Sequence, residues 1–223
     1  MVESVHRLIA GYKGFRARYY EQRPERMKEL AEQGQSPEVM LIACSDSRVE
    51  PAVLLDIEPG ELFIARNVAN LVPPYGPDEN PHGTSSAIEF AVRDLKVKHI
   101  VVLGHSACGG IQALREANRR EQSEPGEEGE REFIAPWMKI AEAACPCDAA
   151  GNVPGQENVE QDSIRISLRN LMTFPWIASR VADGDLSLHG WWVDLQAGRL
   201  CAVDPHRQDI HDLVVGQGEF GVA

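Results

Sequence analysis

Two short segments hold residue types suited to metal chemistry. Cys44-Ser45-Asp46-Ser47-Arg48 places a thiol, a carboxylate and a guanidinium at alternate positions, and His105-Ser106-Ala107-Cys108-Gly109-Gly110 places an imidazole three residues before a second thiol. Two thiolates and one imidazole are borderline-soft ligands of the kind that select zinc. The His-x2-Cys spacing lets one turn present both ligands, and Gly109-Gly110 lets backbone come close to the site. Three protein ligands and one open position is the pattern of a catalytic Zn2+, whereas structural zinc is closed by four. Asp46 is either a fourth ligand or a group beside a bound water, and Arg48 can pair with it and hold it ionised and oriented. A single Cys or His is more often a packing residue or a hydrogen-bonded imidazole. As a set flanked by glycines, these point to a metal.

For the two segments to meet, the elements before them must be neighbours. Val39-Met40-Leu41-Ile42-Ala43 and His99-Ile100-Val101-Val102-Leu103 read as strands buried on both faces, and each runs directly into one of the segments. In open parallel sheets functional groups gather beyond the carboxyl ends of the strands, so Cys44, His105 and Cys108 converge if these two strands are adjacent. Residues 2–33 read as two helices with Pro24 breaking the pattern between them. Leu54–Ile57 is a short run, Leu62–Ala65 a strand after the Pro59-Gly60 turn, and Pro73–Pro77 an irregular loop. Helical spacing covers Thr84–Leu95, Ile111–Arg119, Phe133–Ala144 and Val159–Arg180, the last interrupted at Pro175. The charged stretch 119–132 reads as a solvated surface loop, and Leu188–Val203 as a hairpin about Ala197-Gly198. Strands alternating with helices predict one α/β domain, a central, mostly parallel sheet flanked by helices, with a terminal antiparallel strand. The expected divisions are an N-terminal helical arm over 1–34, a zinc-binding core over 35–204 and a tail over 205–223.

Composition narrows the function classes. The 223 residues exceed the ~100–200 of a common domain only slightly. Acidic residues number 34 against 22 basic, a formal charge of −12, which disfavours nucleic acid and anionic membrane surfaces as partners. No apolar run approaches the ~20 residues of a membrane span, and no secretory signal pattern is visible, so a cytoplasmic protein is expected. Five cysteines at irregular spacing are no disulfide framework.

Read together, Cys-Ser-Asp-Ser-Arg (44–48), Pro-Gly-Glu-Leu-Phe (59–63), Arg-Asn-Val-Ala-Asn (66–70) and Gly-His-Ser-Ala-Cys-Gly-Gly (104–110) resemble the β-class carbonic anhydrases. Weaker similarity continues through Ser167–Leu171 and Leu188–Trp191, so the resemblance spans roughly residues 35–195. It implies zinc on Cys44, His105 and Cys108, an Asp46–Arg48 dyad, and attack of zinc-bound hydroxide on CO2 to give bicarbonate. Two thiolates cancel the zinc charge, so the water is less acidified than on three histidines and activity should favour alkaline pH. The plant-type branch is the nearer match: Gln35, nine residues before Cys44, corresponds to a substrate-binding glutamine, with the Gly109 N–H as a second donor. Phe63 and Val68 correspond to apolar walls of the CO2 pocket. The resemblance also implies a homodimer or an assembly of dimers, with N-terminal helices embracing the second subunit and active sites at the interface.

Two departures stand out. The family's noncatalytic bicarbonate pocket uses a Trp–Arg–Tyr trio where this chain has Leu41, Arg66 and Val193, so the pocket is expected to be absent and closure of Asp46 onto zinc less favoured. A Tyr and a His bordering the plant-type site are Phe90 and Arg93 here, which leaves His82 and His189 as shuttle candidates by residue type alone. Cys145-Pro146-Cys147 reads as surface or half-buried thiols, Cys201 and Trp191-Trp192 as packing. Two alternatives to CO2 hydration remain. Hydrolysis of carbon disulfide or carbonyl sulfide would use the same zinc. A noncatalytic zinc scaffold or sensor would have no use for Asp46, Arg48 and Gln35.

Overall fold

The structure, a computed structural model, describes residues 3–120 and 131–214. The chain opens with α1 (Glu3–Arg16), a π-helical turn over Ala17–Gln22, and α2 (Pro24–Gln33). Pro24 stands in the first turn of α2, where its missing N–H is one the helix would leave unpaired, so it begins the second helix. No residue of α1 is buried. The arm is anchored lower down. Tyr19 donates to the Glu58 carboxylate, Arg23 reaches the same group at 3.0 Å, and Arg26 donates to the Pro59 carbonyl at 3.2 Å. Gly60 lies under Leu30 at φ +92°, and a Cβ there would sit 2.6 Å from Leu30 Cδ2, so this close approach requires glycine.

The remaining elements follow as β1 (Val39–Cys44), α3 (Pro51–Leu54), β2 (Leu62–Asn67), α4 (Gly83–Glu89), β3 (His99–His105) and α5 (Gly109–Arg120). Then come α6 (Ile134–Met138), α7 (Gln156–Leu171), α8 (Pro175–Ala182), β4 (Ser187–Asp194), β5 (Arg199–Val203) and β6 (Ile210–Asp212). The sheet order is β2-β1-β3-β4-β5-β6. The first four strands are parallel and the last two antiparallel. Side chains alternate across it. Met40, Ile42, Ile100 and Val102 pack with Ile88, Ile164, Leu168, Leu171 and Ile177 from α4, α7 and α8 on one face. Leu41, Ala43, Val101, Leu103 and Val193 form the core of the other with Val49, Leu54 and Leu55. Burial on both faces is why β1 and β3 read as unbroken apolar runs.

Three local expectations need correction. The helix expected over 133–144 is α6 followed by a 3₁₀ segment over Lys139–Ala144. The short run at 54–57 falls on the end of α3 and the turn after it. The tail contains β6, whose three residues are too few to show a period. Of the charged stretch 119–132, residues 121–130 lie outside the described residues.

Candidate metal centre

Register brings the two segments together. β1 and β3 are hydrogen-bonded neighbours with Ala43 opposite Leu103, so both strands deliver their next residues to one edge of the sheet. Cys44 ends β1, His105 ends β3, and Cys108 stands one residue before α5. All three are buried, and their ligand atoms lie within 4.8 Å of one another. The turn from His105 to Cys108 passes through Ala107 at φ +55°, a left-handed conformation outside its usual range. Gly110 is needed for packing: a Cβ there would meet Val68 Cγ1 at 2.8 Å. At Gly109 a Cβ would meet nothing within 4 Å, so space is open in front of the first residue of α5.

The geometry fits zinc. Cys44 Sγ and Cys108 Sγ are 4.0 Å apart; a tetrahedron with zinc–sulfur bonds of ~2.3 Å has an edge of ~3.8 Å. His105 Nδ1 donates to the Ser106 carbonyl at 2.9 Å, which leaves Nε2 as the acceptor. That Nε2 is buried without a hydrogen-bond partner. A buried imidazole nitrogen facing two thiols and lacking a donor is what a metal ligand looks like with its ion removed. Electrostatics agrees. The Cys108 thiol, then His105 and the backbone N–H groups of Asp46 and Ala69, lower the Cys44 pKa. The hydrogen bond with Cys44, then burial and the Cys44 charge, raise that of Cys108, against the N–H groups of Ile111 and Gly110 at the start of α5. The pocket thus favours one thiolate on its own account; a second calls for a cation between them. Burial opposes charge on His105, but Cys44, the Ser106 carbonyl and Asp46 together outweigh it and the net shift is upward.

Asp46 is held away from the fourth position. Arg48 Nε and Nη2 grip its two oxygens at 2.9 and 2.7 Å, and the Arg48 backbone N–H adds a third bond at 2.9 Å. Arg48 Nη2 also donates to the Ala107 carbonyl at 2.9 Å, tying the Asp46 loop to the His105–Cys108 turn. These bonds, Arg48's first, hold the Asp46 pKa well below the usual carboxylate range. One Asp46 oxygen remains 4.0 Å from His105 Nε2, next to the centre but outside the ligand set.

Arg66 proves to be a brace. It donates to the carbonyls of Cys44 at 2.9 Å, Asp46 at 2.9 Å and Val49 at 2.7 Å, and pairs with Glu50 at 2.6 Å. Leu41 and Val193 belong to the apolar core on one face of the sheet.

Sequence reasoning missed a second support. Glu160 on α7 is only 2% exposed, and accepts from the Cys108 N–H at 2.9 Å, Gln156 at 2.8 Å and the Trp192 indole at 3.3 Å. Burial raises its pKa despite those donors. The available signal was a charged residue in the apolar stripe 160, 164, 168 and 171. Cys145 is buried, a correction to the expected surface or half-buried thiol, while Cys147 is exposed and Cys201 buried. His82 is tied to Asp78 at 2.7 Å, and His189 faces His99 in the amino half of the sheet, opposite Val101.

The other expected residues lie elsewhere. Val68 borders the centre through Gly110. Gln35 is exposed and precedes β1, whereas Cys44 ends it, a strand length of about 17 Å away. Phe63, near the start of β2, stacks on the half-exposed Phe90 with ring centroids 5.8 Å apart. Within one chain, Gln35, Phe63 and Phe90 therefore do not join the ligands.

Residues 39–200 match the carbonic anhydrase family. The chain is 35% identical to a carbonic anhydrase of Synechocystis sp., covering 97% of this chain and 76% of that one. It superposes on the solved β-carbonic anhydrase CcaA with a TM-score of 0.76 at 32% identity, over 96% of this chain and 93% of the other. The chain belongs to the β-class carbonic anhydrases. A tetrameric β-carbonic anhydrase from Sordaria macrospora is also similar, with a TM-score of 0.70 at 28% identity over 96% and 99% of the two chains. β-Carbonic anhydrases use zinc, and Cys44, His105 and Cys108 form a cluster that could hold the ion.

Proposed function

We infer that this β-carbonic anhydrase hydrates CO2 reversibly to bicarbonate and a proton, using zinc held by Cys44, His105 and Cys108. The observation that carries the reading is the Arg48–Asp46 clamp, which leaves a three-ligand site with its fourth position open. Zinc, when bound, would acidify a water molecule and so supply a nucleophile, at higher pH than zinc on three neutral ligands does. Asp46, kept ionised by Arg48, accepts a hydrogen bond from the attacking oxygen and turns its lone pair toward the carbon. The Gly109 N–H, with open space before it, donates to the oxygen on which negative charge develops. Ser106 holds the imidazole through its carbonyl, and Arg48 keeps the ligand turn in register with Asp46.

A second copy of the chain completes the pocket in this proposal. Gln35 precedes β1 and Phe63, packed on Phe90, stands near the start of β2, so in this reading they serve the zinc centre of a neighbouring subunit. The exposed apolar residues Val5, Leu8, Ile9 and Tyr12 of α1, at helical spacing, give that neighbour a surface to grip. No helix among the described residues is long and apolar enough to cross a membrane. A reducing cytoplasm suits the five free thiols, two of which the metal needs.

The test is stopped-flow CO2 hydration by the zinc-replete protein beside Cys44→Ser, with carbon disulfide as a parallel substrate. Rapid hydration lost in the variant is expected. Turnover of carbon disulfide without hydration would overturn the substrate, and neither reaction with zinc bound would leave a structural zinc protein. No residue of the centre favours the narrower substrate.

A further inference from the structure

In a chain of net charge −12, one small cavity runs against the trend. Its volume is about 250 Å³, and its wall includes Arg165 and Arg169 of α7 and His206, Arg207 and Gln208 of the turn between β5 and β6, with Asp162 the one carboxylate. Arg165 is 4% exposed. Its Nε donates to the carbonyls of Asp204 and Arg207 at 2.9 Å each, and its Nη1 pairs with Asp162 at 2.8 Å. Its Nη2 is buried and has no partner. A buried donor on a charged group is seldom left without an acceptor, and such a vacancy commonly marks an ion or a water.

The surrounding charge favours an ion. The Arg169 and Arg207 side chains are exposed and enter no hydrogen bond or ion pair among the described residues. The nearby Asp204 carboxylate is occupied in capping the N–H groups of His206 and Arg207 at 2.7 and 2.9 Å. Three guanidiniums line the cavity with Asp162, and the charge of Asp204 offsets part of that of Arg207; the surplus that remains suits an anion with several acceptor oxygens. We propose that this cavity binds a phosphate group, free or at the end of a small metabolite, seated over the buried Arg165 guanidinium and gripped from the rim by Arg169 and Arg207. The bound anion ties α7 to the turn between β5 and β6, five residues along the helix from Glu160.

Arg165 braces the fold, so the test spares it. Inorganic phosphate and, separately, glycerol 3-phosphate are titrated calorimetrically into zinc-loaded protein at ionic strength fixed with chloride. Expected is saturable binding of one anion per chain, weakened about tenfold or more in the Arg169→Ala/Arg207→Ala double variant, whose parent side chains hold nothing in the fold. Phosphate should also raise the Tm of the parent protein and not of the variant. Equal affinity for the two probes assigns the site to free phosphate; tighter binding of the ester assigns it to a phosphorylated metabolite. Absence of saturable binding up to about 10 mM, the result if water fills the cavity, would overturn the proposal. Undiminished binding in the double variant would do the same, because the anion would then sit elsewhere.

Discussion

The Arg48 guanidinium holds both Asp46 oxygens and the Ala107 carbonyl at once, so a single side chain sets the position of the carboxylate relative to the ligand turn. Removing it in Arg48→Ala frees Asp46 to swing toward the metal. A fall in kcat of about 100-fold with zinc content unchanged is expected, read by stopped-flow and metal analysis side by side. Glu160 acts one step further out, through the Cys108 N–H. Glu160→Gln keeps the shape but replaces one acceptor with a donor beside three groups that already donate. Zinc affinity, measured by competition with a chelator, should fall about 10–100-fold while the fold survives. These two residues differ in how well sequence reveals them. Asp46 and Arg48 flank a ligand in a recognisable motif, whereas Glu160 is brought to Cys108 by the packing of α7, across 52 residues of chain.

At the scale of elements, the parallel sheet was readable because β1 and β3 are buried on both faces and end directly at Cys44 and His105. Elements with little burial were not. α3 is a single turn, β6 is three residues, and the stretch after α6 tightens into 3₁₀ geometry that no side-chain period announces. The N-terminal arm illustrates how few contacts hold such an element. Hydrogen bonding from Tyr19, then Arg23, lowers the pKa of Glu58. A carboxylate with a lowered folded pKa contributes stability that is fully present above its ordinary value and lost as pH falls through the lowered one. Hydrogen-exchange protection of residues 17–33 should therefore weaken below about pH 4.5, after correction for intrinsic rates. Glu58→Gln should show the weaker protection already at neutral pH. Unchanged protection in that variant would mean that packing of Leu30 on Gly60, rather than the carboxylate, holds the arm.

At the scale of the whole molecule, the ligands lie at the carboxyl ends of the strands while Gln35, Phe63 and Phe90 lie toward the amino ends. Their residue types were legible and their distance from the ligands was not, because that depends on which end of its strand each residue occupies. If Gln35 acts across a two-fold interface, co-expressed Gln35→Ala and Asp46→Ala chains form mixed dimers with one site carrying both lesions and one carrying none. Activity of about a quarter of the parent's is expected from a random mixture, above that of either variant alone. A Gln35 that served its own chain would give no such recovery.

The most direct test of the account is stopped-flow CO2 hydration by the zinc-replete protein from about pH 7 to pH 9. Two thiolate ligands predict turnover that rises toward alkaline pH, and the Arg48–Asp46 clamp predicts that it is already substantial near pH 7.5. No hydration at any pH, with zinc confirmed at one ion per chain, would contradict the catalytic reading of the centre.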